Sequence, residues 1–519
     1  MTTVSLKSIE GKWLMVATIM ASAMAFIDGT ALNVVLPALQ QCLNASGTDL
    51  FWILNAYLLM LASLILIGGS LGDKLGRKKI FMIGILIFII GSGCCGLVGN
   101  VFFLILFRIL QGVGGALMIP GSLSLITSSI DEKERGRAIG TWSAATTAVT
   151  IGGPILGGAL ADAGLWRYIF FINIPIGIVA LLILAFKVKE SNDGNSDKSI
   201  DFGGAITIAL GLAGLTFGFL RIPAIGFWNI EILFSLIGGL VMLIAFFLIE
   251  KNSKHPMMPL NLFSIKAFTG ANLLTFFLYA GLGTGMLFLS LNLVQIQHYT
   301  QLQSGLTFLP FTLLMISFAR YSGNLADKYG PRLFLISGPF FAGIGLLVLA
   351  FVKQTNGIAD YWTTFFPGIL LFGLGMSFTV APLTATVMGS VEDRFSGTAS
   401  GVNNAISRIC SVFAYAVFGA LAVVYFSSSL EKQLEISGLS SQNKNEILLQ
   451  AVNLGNAKVP LDIDERSKIM VTNFYHVAFI SSYSKLMFIA AGLCFVGALM
   501  SVLFIKNKIR SPLNFEQKL

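Results

Sequence analysis

Gly69-Ser-Leu-Gly-Asp73-Lys-Leu-Gly76-Arg77-Lys78 returns 254 residues later as Gly323-Asn-Leu-Ala-Asp327-Lys-Tyr-Gly330-Pro-Arg332, and the architecture can be built outward from this repetition. Each copy is a short charged turn with two glycines, an acid and basic residues, set between long apolar runs. Two more pairs follow at a spacing of 261: Gly112-Val-Gly114 with Gly373-Leu-Gly375, and Gly136-Arg-Ala138-Ile-Gly140 with Gly397-Thr-Ala399-Ser-Gly401. An insertion in the connection around 354–361 accounts for the change of spacing. Self-similarity in this order marks a chain made of two related halves.

The solvent of those halves follows from composition. Of 519 residues only 11% are charged and 55% are hydrophobic, against about 25% charged in a soluble protein, and mean hydropathy is +0.81. A water-soluble enzyme is excluded. The net charge of +9 is spread over short connections; no window is both long and basic, so a nucleic-acid-binding surface is not expected. Cys42, Cys94, Cys95, Cys410 and Cys494 show no metal or disulfide-framework spacing, and His255, His298 and His476 no metal motif.

A spanning helix needs roughly 20 apolar residues. Such runs occur at 13–36, 51–71, 80–98, 101–120, 138–160, 168–186, 203–220, 230–248, 268–293, 305–325, 333–351, 362–387, 397–426 and 486–504, which makes fourteen. The repeat divides them into a six-helix bundle (1–190), two inserted helices (191–262) and a second six-helix bundle (263–519). An even number of spans separates the copies, so the halves run in the same direction, related by an axis along the membrane normal. Lys and Arg gather in alternate connections, at 74–79, 133–137, 187–198, 251–266, 328–332 and 394, and at both termini. The positive-inside rule places these in the cytoplasm. The stretch 427–485 is then a long extracellular loop, with an apolar patch at 447–452 that can form a helix.

Charge inside the membrane is costly, by about 2.5 to 3.5 kcal/mol at a helix centre, and is functional by default. Asp28 is the only acid well inside a predicted span. Arg108, on the fourth span, lies at a similar depth, roughly 10 to 12 Å from the outer end at 1.5 Å per residue. Two readings are open: the pair meets and carries protons, or Asp28 serves packing while Arg108 snorkels to the interface. Gln111, Gly112 and Gly115 share the face of Arg108, and Met24 is a helical neighbour of Asp28. Ser143, Thr147 and Thr150 form a polar stripe on the fifth span, and their repeat equivalents on the thirteenth are Asn404, Arg408 and Ser411. Met24, Gln111, Thr147, Asn404 and Arg408 are therefore expected to line a substrate path. In the opposite sense, Asp28 corresponds to Leu282 and Arg108 to Ile369, so the acid belongs to the first half alone. On the fifth span Gly152, Gly153, Pro154, Gly157 and Gly158 predict a close-packed, bendable helix near the outer side.

With these residues in place the chain resembles the major facilitator superfamily, and within it the fourteen-helix drug:proton antiporters. Gly69-x-Leu71-Gly72-Asp73-x-x-Gly76-Arg77-Lys78 is similar to the superfamily's cytoplasmic loop motif. Arg108-x-x-Gln111-Gly112-x-Gly114 is similar to its fourth-helix motif, and Gly153-Pro154-x-x-Gly157-Gly158 to its antiporter motif. Asp28-x-Thr30-x-x-Asn33-x-x-Leu36-Pro37 and the stretch from Trp166 to Gly177 resemble the fourteen-helix group. The resemblance implies an all-α major facilitator fold of 6 + 2 + 6 helices and a multi-pass protein of the cytoplasmic (inner) membrane with both termini inside. It implies no enzyme activity and no cofactor beyond a proton gradient. It also implies export of hydrophobic or amphipathic molecules by alternating access, with Asp28 and Arg108 coupling protons. The two loops would latch one state through Gly69, Asp73, Gly76, Arg77, Gly323, Asp327, Gly330 and Arg332. The partners implied are a small-molecule substrate, protons and the lipid bilayer, with a periplasmic adaptor only if the source has two membranes. A substrate-specific exporter of the same fold is the alternative reading; a non-transporting scaffold or receptor fits the buried charge and repeated loops less well. After Arg408 the family pattern Gln-Leu-Gly is replaced by Ile409-Cys410-Ser411, and a second acid in the tenth helix is lacking. Substrate contacts and proton stoichiometry are therefore not carried over.

Overall fold

The computed structural model describes residues 4–190, 201–253, 256, 258–392 and 396–506; the side chains of Asp73, Ser143, Thr147 and Asp327 lie outside the described part. The first six spans are α1 (Ile9–Leu43), α2 (Gly47–Leu75), α3 (Arg77–Leu97), α4 (Val101–Ser129), α5 (Glu132–Asp162), and α6 (Tyr168–Phe171) continued by α7 (Asn173–Lys187). The inserted pair is α8 (Phe202–Ile225) and α9 (Ile230–Asn252). The second half comprises α10 (Lys266–Gln295), α11 (Gln301–Thr307) continued by α12 (Leu309–Tyr329), α13 (Arg332–Ala350), α14 (Tyr361–Gly389), α15 (Ser396–Glu435), a short α16 (Ser441–Leu449) and α17 (Glu465–Phe504). Prolines near the two breaks, Pro175 and Pro310, have no N–H to donate to the preceding turn.

Among the described residues thirteen helical stretches are long and apolar enough to cross a membrane. The fourteenth crossing is α5, whose 31 residues extend about 46 Å at 1.5 Å per residue. It starts beside the Val4–Ile130 bridge on the face that carries the termini and ends with Asp162 on the far face.

The repeat in sequence is a repeat in space. A Cβ at Gly112 would press on the Tyr57 carbonyl, and one at Gly373 on Phe311, the residue 254 beyond Tyr57. A Cβ at Gly114 would enter the backbone of Phe88, and one at Gly375 that of Ala342, again 254 apart. These glycines bring α2 and α3 against α4, and α12 and α13 against α14, through backbone contact. The loop copies also superpose in role. Gly76 (φ 108°) and Gly330 (φ 89°) reverse the chain between two helices in a conformation that side chains resist. Lys78 Nζ donates to the Val188 carbonyl at 2.7 Å, and its equivalent Arg332 donates from Nη2 to the Val502 carbonyl at 3.1 Å. Each basic residue thus satisfies terminal carbonyls of the last helix of its own half, where the helix dipole favours a cation.

The inserted helices pack on each other through glycines: Cβ atoms at Gly211 and Gly214 would lie 3.1 and 3.0 Å from the Gly239 backbone. They rest on α2 and α15 through Trp52–Phe217 and Phe219–Phe413 ring pairs.

The halves are clasped at the far face. Asp162 accepts from the Gln301 N–H at 2.7 Å and the Leu302 N–H at 3.0 Å, capping α11 from across the interface. Gly158 faces the Gln301–Leu302 backbone, and Gly305 the Pro154 carbonyl, with no room for a Cβ. Gln40 Oε1 accepts from Gln295 Nε2 at 3.0 Å and Asn456 Nδ2 at 2.7 Å. Among the described residues, every hydrogen bond between the halves lies between this face and the level of Asn33, whose carbonyl accepts from Ser290.

One expectation changes. The loop drawn at 427–485 is shorter, because α15 runs to Glu435 and α17 starts at Glu465. Polar residues continue these helices beyond the apolar run, with Asp464 capping α17 through the N–H groups of Arg466 and Ser467. The apolar patch does become helical: Ile447 in α16 and Leu454 in the following turn are buried over the clasp.

Candidate functional site

Close approach of α5 to α1 one turn beyond Asp28 is allowed by glycine: a Cβ at Gly157 would lie 2.7 Å from the Ala31 carbonyl. Gly112 similarly lets α4 approach α2, which brings Arg108 beside Tyr57. The result is a network across α1, α2 and α4. Arg108 Nη1 donates to Asp28 Oδ2 at 2.5 Å and to Gln111 Oε1 at 2.7 Å; Gln111 Nε2 donates to Asp28 Oδ1 at 3.0 Å. Arg108 Nε donates to the Ile53 carbonyl at 3.3 Å, and its guanidinium carbon stands 4.4 Å over the Tyr57 ring. Asp28, Arg108 and Gln111 are 0 to 1% exposed. The pair expected from depth has formed, and snorkelling of Arg108 is overturned. Taking either partner away would strand a buried charge, at a cost of about 3 to 5 kcal/mol. The carboxylate can accept a proton only by giving up the charge on which its short bond to Arg108 rests.

Asp28 and Arg108 form part of the wall of a cavity of about 170 Å³ that both halves line. The first half contributes Asn33 and Tyr57 beside the ion pair, and the second contributes Arg408, Ser411 and Tyr415. The last three fall at helical spacing on α15 and share one face. The Tyr57 hydroxyl is buried without a hydrogen-bond partner.

Other expected site residues stand elsewhere. Met24 turns away from the cavity into the core of the first half, 3.3 Å from a Cβ placed on Gly177 of α7, because the cavity side of α1 is formed by Ala25, Gly29 and Asn33. Gln111 is consumed by Asp28 and Arg108 and is not on the cavity wall. Asn404 is exposed and donates back to the Ser400 carbonyl, one turn nearer the terminal face than Arg408. Its neighbour Asn403 points inward, donating to Asn272 at 3.0 Å and Thr275 at 2.7 Å. Thr147 lies outside the described residues, and Thr150 bonds back to Thr146. Gly153 and Gly157 seat α5 on α1, while Pro154 and Gly158 seat it on α11, so the motif serves the clasp as well as packing. Of the loop residues, Gly69 and Gly323 face Pro120 and Ala381, themselves repeat equivalents, at ordinary contact distance. Sequence reading missed Tyr57 and Tyr415; a tyrosine inside an apolar run is the signal that finds them.

The family model of the Major Facilitator Superfamily matches residues 18–415. The chain belongs to that superfamily. Among its curated relatives in the superfamily, the "Multidrug resistance protein Stp" of Mycobacterium tuberculosis is 31% identical over 81% of this chain and 78% of its own. The "Tetracenomycin C resistance and export protein" of Streptomyces glaucescens is 30% identical over 77% and 73%. "Multidrug resistance protein 3" of Bacillus subtilis is 27% identical over the full length of both chains. Solved major facilitator structures share the fold: a bacterial homologue of the lysosomal transporter Spinster (TM-score 0.62, 18% identity, 96% of this chain and 98% of that one) and the xylose transporter XylE of E. coli (0.57, 14%, 97% and 98%).

Proposed function

We propose that this Major Facilitator transporter exports hydrophobic or amphipathic small molecules in exchange for protons. The single observation that carries the reading is the buried Asp28–Arg108–Gln111 network at the edge of a cavity shared by both halves. The names of the relatives support the export of drugs. The basic connections support a cytoplasmic terminal face, with the protein in the cytoplasmic membrane. The clasped face is then external and the conformation inward-facing. Asp28 in this state holds Arg108; a proton arriving at Asp28 frees the guanidinium, and the loosened contact between α1 and α4 couples proton binding to the change of state that returns the emptied transporter. One proton crossing 100 mV supplies about 2.3 kcal/mol, which at about 1.4 kcal/mol per decade sustains roughly a fiftyfold gradient of a neutral solute.

A narrow, substrate-specific exporter is the second reading, favoured by the small cavity and by relatives named for single antibiotics. Efflux of a panel of unrelated dyes and antibiotics from cells expressing the protein, with and without a protonophore, tests both. Protonophore-sensitive efflux of several compounds supports the first, and of one compound the second. Efflux that ignores the protonophore contradicts proton coupling.

A further inference from the structure

We propose that the cavity recognises its cargo through Arg408, and that the substrate class is an amphipathic aromatic molecule carrying one negative charge. This deepens the export reading above and rests on it. Asp28 is the only acid on the cavity wall, and both its oxygens are engaged by Arg108 and Gln111. Arg108 is committed in turn to Asp28, Gln111, the Ile53 carbonyl and the Tyr57 ring. Arg408, on the opposite wall, makes no hydrogen bond or ion pair among the described residues, and its Nε is sealed from solvent. The three charged side chains of the wall, one acid and two arginines, therefore sum to one positive charge, located where no acid among the described residues answers it.

A half-buried guanidinium whose Nε is sealed from water and has no partner is poorly compensated. The ligand that relieves it is a carboxylate, phenolate or sulfonate, which matches its planar donors and forms charge-assisted bonds. Tyr57, Tyr415, Leu54 and Leu58 supply flat and apolar surface for the rest of the molecule, and the unpartnered Tyr57 hydroxyl a further polar contact. A cationic cargo would have to displace Arg108 from Asp28 while facing Arg408. The first-half equivalent of Arg408 is Thr147, so the cation is a feature of one half and not a product of the repeat.

The charge of the cargo has an electrical consequence. A proton moving in and a monoanion moving out shift charge in the same sense, so about 100 mV sustains roughly a two-thousandfold anion gradient, against roughly fiftyfold for a neutral solute and none for a monocation.

The test is calorimetric binding of naphthalene-2-sulfonate, a permanent monoanion, and N-methylquinolinium, a permanent monocation of similar size, to the purified full-length protein. Wild type is expected to bind the sulfonate about tenfold or more tightly than the quinolinium. Arg408→Gln should weaken the sulfonate by about tenfold or more without weakening the quinolinium, and Arg408→Lys should restore most of the loss. A wild-type preference for the quinolinium, or sulfonate affinity unchanged in a monodisperse Arg408→Gln protein, overturns the proposal. Should Arg408→Gln fail to fold, wild-type proteoliposomes decide: a valinomycin potential must change the rate of pH-driven sulfonate transport, and indifference to it overturns the proposal. Proton-driven movement of ethidium without sulfonate binding removes this inference and leaves export standing; Arg408-dependent sulfonate binding without any pH-driven transport keeps the site and removes the export reading.

Discussion

Where α4 carries Arg108 and Gln111, the equivalent positions of α14 carry Ile369 and Phe372, and Leu282 of α10 stands where Asp28 stands on α1. Ile369 and Phe372 are buried in an apolar core, whereas their counterparts hold an ion pair. Yet Gly112 and Gly373, Gly114 and Gly375, Gly76 and Gly330, and Lys78 and Arg332 perform the same mechanical tasks in both halves. Backbone approach, turn geometry and helix-end capping are duplicated; the buried charge is not. A scaffold of two near-equal bodies thus holds a buried ion pair in one body, while the other brings to the cavity between them a cation that has no partner among the described residues.

The sharpest way to break this comparison is to remove corresponding residues. Arg108→Leu strands Asp28 and should cost about 3 to 5 kcal/mol of stability at neutral pH, most of it recovered in the Asp28→Asn/Arg108→Leu double variant. Ile369→Leu, the equivalent site, should cost less than about 1.5 kcal/mol. Thermal unfolding in detergent compares them, and equal losses would deny that the halves differ at their centres. Next, Gly158→Val intrudes on the Gln301–Leu302 backbone and should disfavour the clasped state by about 1 to 3 kcal/mol. Gly152→Val, in open space, should not. A disulfide engineered between positions 162 and 301 reads the difference as reduced cross-linking in Gly158→Val alone.

The shared features predict equal effects. Gly76→Ala and Gly330→Ala should each cost about 1 to 2 kcal/mol, because both positions hold positive φ. Smallest of all, Lys78→Ala and Arg332→Ala should each cost about 0.3 to 1 kcal/mol through lost helix-end capping. Unfolding midpoints that differ strongly within either pair would mean that the repeat in sequence does not carry a repeated mechanical role.

What the sequence revealed follows the same division. The duplicated glycine and charged turns are local devices, so their spacing exposed the 6 + 2 + 6 organisation. The Asp28–Arg108 contact was also legible, since 1.5 Å per residue fixes depth along a membrane helix. Rotation about the helix axis was not. Met24 and Ala25 are both apolar and Asn403 and Asn404 are the same residue type, so hydropathy does not distinguish the face of one from that of the other. The clasp was hidden for another reason: Asp162, Gln40 and Gln295 act across 139 to 255 residues of chain, and sequence spacing carries no information about such contacts. The ends of α15 and α17 escaped detection because a polar helix beyond the bilayer has no hydropathic signature.

Proton coupling through Asp28 is measured most directly with purified protein in proteoliposomes under an imposed pH gradient. Asp28→Asn should lose accumulation driven by the gradient, a fall of about a hundredfold, while still exchanging labelled for unlabelled substrate across the membrane at equal pH. Accumulation by Asp28→Asn that follows the gradient as wild type does would mean that Asp28 does not couple protons to transport.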